Sequence, residues 1–140
     1  MRQPSAAADD ECVVTVCRGC CCGDSGVHPG VDHADLLHDL TTELRDSARV
    51  RVSDCLLLCG EANVVVVSPP SGARRAGARA TWFKTVLDRD ANRLIADWIR
   101  TGGPGQPVSS LLRPHLTSPP RIVSDASGRT RVVHDPADPG

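Results

Sequence analysis

The chain reads as an α/β domain over residues 11–102, in the order β-α-β-β-β-α, followed by a disordered tail. Three observations predict this. Two short runs, the β-branched Cys12–Cys17 and the alternating Arg49–Ser53, bracket a segment whose leucines recur at helical spacing. A wholly apolar run, Val64–Val67, has the pattern of a strand covered on both faces. An amphipathic segment capped by Asp88 closes the domain at Gly102.

Taken in order, Met1 to Asp10 has no periodicity and is expected to be a mobile terminus. CVVTVC, Cys12–Cys17, is too short and too β-branched for a helix and reads as a buried strand. Arg18 to Val31 holds Gly19, Gly23, Gly26, Pro29 and Gly30, so it forms a loop that can wrap closely around something. Asp32 is the N-cap of a helix expected to run to about Ser47, with Leu37, Leu40, Leu44 and Ala48 at helical spacing. Arg49–Ser53 alternates as a half-buried strand does and leads to Asp54 and Cys55. Val64–Val67 is the candidate central strand.

Ser68 to Arg79, with a Pro-Pro pair and three arginines, is expected to be the exposed turn of a hairpin whose return strand is Thr81 to Val86. Arg74, Arg75 and Arg79 there read as solvated charges. Asp88 then caps a helix with Ala91, Leu94, Ile95 and Trp98 on one face. Beyond Gly102 the composition shifts: seven of the eleven prolines lie there, which marks 103–140 as linker and tail. Within it Ile122-Val123 and Val132-Val133 flank Ser-Asp-Ala-Ser-Gly, so a small hairpin is allowed for over 121–134.

A length of 140 residues suits one domain, and with two Trp, one Phe and no Tyr the core must be aliphatic. A formal net charge of -1 calls for neither nucleic acid nor an anionic membrane as partner. Lys84 is the single lysine, which reads as a coding bias. No apolar run approaches the roughly 20 residues that cross a bilayer. Met1 to Asp10 also lacks the basic and apolar regions of a signal peptide, so the expected location is the cytoplasm.

Six of the seven cysteines fall in two groups, Cys17-Arg18-Gly19-Cys20-Cys21-Cys22-Gly23 and Cys55-Leu56-Leu57-Leu58-Cys59-Gly60. Each group follows a strand and has a glycine beside its last cysteine. In a reducing compartment such thiols are metal ligands or redox groups sooner than structural disulfides, and the odd count agrees. Cys12 stands apart and reads as a buried thiol acting as a small hydrophobe. Four thiolates hold a structural zinc or a small iron–sulfur cluster. Cys55 and Cys59 have only each other locally, whereas Cys17 can pair with Cys20, Cys21 or Cys22. Softness narrows the metal to zinc, copper(I) or iron–sulfur. Cys17-x2-Cys20 with Cys55-x3-Cys59 looks roughly like a zinc site, while Cys17-x4-Cys22 with Cys55-x3-Cys59 belongs to an iron–sulfur pattern.

Cys17, Cys22, Cys55 and Cys59 in a β-α-β-β-β-α frame resemble the thioredoxin-like 2Fe-2S ferredoxins and the related small 2Fe-2S subunit of NADH-quinone oxidoreductase. The resemblance covers about residues 11–102 and none of the tail. It implies a thioredoxin-like fold with a mixed sheet, and a 2Fe-2S cluster on those four cysteines. It further implies redox partners, a reductase and an acceptor protein, and it allows for a homodimer, since relatives often dimerise. In that family the second cysteine usually stands just before the first helix, whereas here Gly23 to Val31 intervenes after Cys22. His28-Pro29-Gly30-Val31-Asp32-His33 resembles the segment ending in that cysteine, with His33 close to its place, although a thiolate suits iron better.

The leading expectation is therefore a one-electron carrier and not an enzyme, since no catalytic acid, base or nucleophile constellation is legible elsewhere. Backbone amides around Gly19, Gly23 and Gly60 would donate to the cluster sulfurs, Arg18 would offset its charge, and Leu56, Leu57 and Leu58 would exclude water. One rival is a zinc-stabilised binding module in which four cysteines hold the metal. A weaker one is a thiol-disulfide oxidoreductase using Cys17-x-x-Cys20. The glycines and Pro29 that follow deny it the helix such enzymes place after the first cysteine, and it leaves Cys55 and Cys59 unexplained.

Overall fold

The computed structural model describes residues 11–18, 26, 29–53, 62–119, 121–124 and 126–133. Strand β1, Cys12–Cys17, buries alternate side chains, as a β-branched run with one face on a core must. Helix α1, His33–Glu43, starts where expected: the Asp32 carboxylate accepts from the Asp35 amide at 3.0 Å. It ends at Glu43 with Leu44 as C-cap, short of Ser47, because residues 44–47 turn to start β2, Ala48–Ser53. Strand β3, Val65–Ser68, follows.

The segment expected as a plain turn holds a short helix, α2, Ser71–Arg75, opened by Pro70 and burying none of its residues. The return strand β4 is Thr81–Phe83, three residues where the sequence suggested six. It stops because Thr85 takes a positive φ of 49°. Helix α3, Arg89–Arg100, is capped by Asp88, whose carboxylate accepts from the Ala91 amide at 2.8 Å. Gly102, with φ +130°, marks its exit as expected.

The chain past Gly102 departs most from expectation. Instead of trailing away as linker, it turns back through Gly103 and Gly105, both at positive φ, and the Trp98 indole donates to the Gln106 carbonyl at 3.1 Å. Leu112 is fully buried in the main core. A 3-10 turn, Arg113–His115, then delivers β5, Leu116–Thr117, to the edge of the sheet beside β4. The small hairpin does form, β6, Arg121–Ser124, pairing antiparallel with β7, Thr130–Val133.

The main sheet has five strands in the order β2-β1-β3-β4-β5, with β1 and β2 parallel and the other neighbours antiparallel. The chain is thus α/β with a mixed sheet, and the apolar run of β3 occupies its middle. One face carries the principal core: Cys12, Val14, Val16, Val65, Val67 and Phe83 pack with Leu40 and Leu44 at α1 and Ile95, Trp98 and Ile99 of α3. Phe83 meets Trp98 edge to face at 5.4 Å. Buried Asn92 joins the two helices, donating to the Leu36 carbonyl at 3.0 Å and the Asp39 carboxylate at 3.1 Å. On the opposite face Cys17, Ala62, Val64 and Val66 form a smaller cluster with Trp82 against it. Among the described residues no helix is long and apolar enough to cross a membrane.

Candidate metal centre

Parallel pairing of β1 with β2 sets the site. The strands are in register from Cys12 opposite Ala48 to Cys17 opposite Ser53, so both finish at the same level on the same edge of the sheet. Each leads directly into a cysteine-bearing segment: residues 19–32 follow Arg18, and residues 54–61 follow Ser53. Because β3 runs antiparallel to β1, with Val65 opposite Val16, the second loop also returns to this edge.

Hydrogen bonds tie these loop ends together. The Arg18 amide donates to the Ser53 carbonyl at 3.0 Å, joining the two departures, and the Cys17 amide donates to the Val64 carbonyl at 3.0 Å, joining the first departure to the second return. The Arg18 guanidinium folds back to donate to the Cys17 carbonyl at 2.8 Å and to the His33 carbonyl at 3.2 Å, which links the start of the first loop to its end. The Asn63 side-chain amide donates to His33 Nδ1 at 2.8 Å, linking the two returns. With Asn63 donating, the ring proton of neutral His33 lies on Nε2.

Cys17 is 2% exposed, with Ala62, Val64 and Val66 around it. A thiol in apolar surroundings is inert unless a metal or a nearby positive charge stabilises the thiolate. The Arg18 guanidinium is hydrogen-bonded to the carbonyl of Cys17 itself. A cysteine sulfur is a soft donor. Cys12 begins the same strand at its far end, on the other face, and burial pushes its thiol up from the ordinary value. It is no part of this edge.

The other expected ligands, Cys20, Cys21, Cys22, Cys55 and Cys59, lie outside the described residues, as do Gly19, Gly23, Gly60 and Leu56 to Leu58. Among the described residues no three metal-ligating side chains gather. Arg18 and His33, singled out in the sequence, come together here. His33 is buried at 7% exposure where a helix-start histidine would ordinarily be solvated. Asn63, 1% exposed, was missed. Its signal was a single carboxamide between apolar residues, Ala62 and Val64, at the mouth of a strand.

No family model, curated protein or solved structure matches the chain.

Proposed function

We propose that the chain is a one-electron carrier holding a 2Fe-2S cluster on Cys17, Cys22, Cys55 and Cys59, with Cys20 or Cys21 as the alternative second ligand. One observation carries the reading: Cys17 lies opposite Ser53 in a parallel pair, so both cysteine groups depart from one edge. Cys55 is two residues beyond Ser53 and Cys59 three before Ala62. Chain spans of that length reach at most about 7 and 11 Å, which is compatible with both thiols meeting Cys17 at one metal. The strand order β2-β1-β3-β4, with its one parallel pair and two helices on one face, supports the thioredoxin-like reading as well.

When bound, such a cluster stores and releases single electrons without a bound substrate. The residues of this chain supply the thiolates, an apolar wall of Ala62, Val64 and Val66 beside Cys17, and the Arg18 charge near it. A reductase and an acceptor protein, in the cytoplasm, are the partners this reading requires. Protein purified without oxygen should be red-brown and should bleach with dithionite. Colourless protein carrying stoichiometric zinc overturns the reading in favour of a zinc-stabilised binding module.

A further inference from the structure

The frame at the loop ends contains two buried polar side chains, Asn63 and His33, and one part-buried guanidinium, Arg18. Resting on the 2Fe-2S reading, we propose that Arg18, His33 and Asn63 form a latch that positions the two cysteine groups relative to each other and governs how firmly their thiolates hold the cluster.

Stability alone does not call for polar residues here. Replacing both partners of a buried hydrogen bond by apolar groups of like shape is often nearly neutral, because pairing mainly offsets the cost of leaving water. What the pair adds is direction. A carboxamide held on an imidazole nitrogen at 2.8 Å fixes the chain at residue 63 against the first turn of α1. The planar guanidinium adds a second tie, since its fork reaches two carbonyls at once, Cys17 and His33, which a lysine ammonium cannot reproduce in the same geometry.

The consequence for the thiols is entropic. Four ligands drawn from two loops must converge on one group, and each loop end left loose adds conformational freedom that binding must remove. Here all four ends are fixed through β1, β2, α1 and the entry to β3 before any metal arrives. The latch does not touch the metal; Arg18, His33 and Asn63 are positioning residues.

The test uses the full chain, reconstituted with iron and sulfide under anaerobic conditions, in four variants: Arg18→Met, Asn63→Leu, His33→Asn and Gly103→Ala. Loss of the visible bands to an iron chelator is timed, and visible circular dichroism is recorded. Removing groups that orient metal ligands commonly costs about 10–100-fold in metal affinity. Arg18→Met and Asn63→Leu should accordingly release the cluster about tenfold faster or more, with an altered visible dichroism. His33→Asn keeps a carboxamide oxygen at the place of Nδ1 as an acceptor for Asn63 and should stay close to wild type. Gly103→Ala weakens the fold at the Cys12 end of β1, away from the site, and should leave both readouts unchanged. Wild-type release rates and spectra in Arg18→Met and Asn63→Leu overturn the latch. So does equally fast release from Gly103→Ala, which would make the effect one of general stability. A wild-type chain that takes up no iron and sulfide overturns the cluster reading itself.

Discussion

Gly103 turns back over Cys12: at φ +68°, a β-carbon on Gly103 would stand 3.1 Å from the Cys12 sulfur. Both the positive φ and the close approach favour glycine. Gly103→Ala should therefore destabilise the chain by about 1–2 kcal/mol, measured as a shift of the urea midpoint at constant slope. Cys12→Ala made in the same chain opens the space the methyl needs. The double variant should lose less than the sum of the two single losses, a coupling that a double-mutant cycle reads directly.

Burial of Cys12 also gives the fold a pH dependence on the alkaline side. Its thiol is pushed up from 9.0, so the folded chain holds the proton more tightly than the unfolded one. That contribution is fully present below the ordinary value and is lost as pH rises through the raised one. Denaturant midpoints should fall above about pH 9, and Cys12→Ala should flatten the fall. The six other cysteines are common to both chains, so the difference between wild type and Cys12→Ala reports Cys12 itself.

Leu112 is fully buried in the principal core, although it lies in the stretch whose composition suggested a tail. Leu112→Ala should cost about 2–5 kcal/mol, as deletion of a buried leucine side chain does elsewhere. A chain stopped at Gly102 would lose Leu112 and the β5 strand together, and should melt well below one stopped at Pro119.

The elements legible in the sequence are those with their own pattern: β1 from CVVTVC, α1 and α3 from aspartate caps and spaced leucines or isoleucines, and β3 from its valines. Those missed depend on partners elsewhere. Strand β5 is two residues long and exists because Phe83 and Trp82 offer an edge. Leu112 reaches the core as a single anchor with no periodic neighbours to announce it. At the site, the sequence placed each cysteine group after a strand, but only the parallel register of Cys17 with Ser53 brings the two departures level. The His33–Asn63 link joins residues thirty positions apart and leaves no local trace.

The two described cysteines provide a final contrast, because they occupy opposite ends and opposite faces of one strand. Cys12 packs in the principal core under the helices, whereas Cys17 lies in the smaller cluster beside the loop ends. Five residues of extended chain separate their backbones by about 17 Å. No metal ligated by one can be reached by the other. If the chain holds a 2Fe-2S cluster at the β1–β2 edge, Cys12→Ser should keep the visible bands and lose only some stability. Cys17→Ser should remove or shift the bands while the far-ultraviolet dichroism stays near wild type. Cys55→Ser and Cys59→Ser should behave as Cys17→Ser does, and among Cys20, Cys21 and Cys22 one substitution alone should match them. Anaerobic absorption spectra of the seven single variants check the set, and loss of the bands in Cys12→Ser would place the metal somewhere other than this edge.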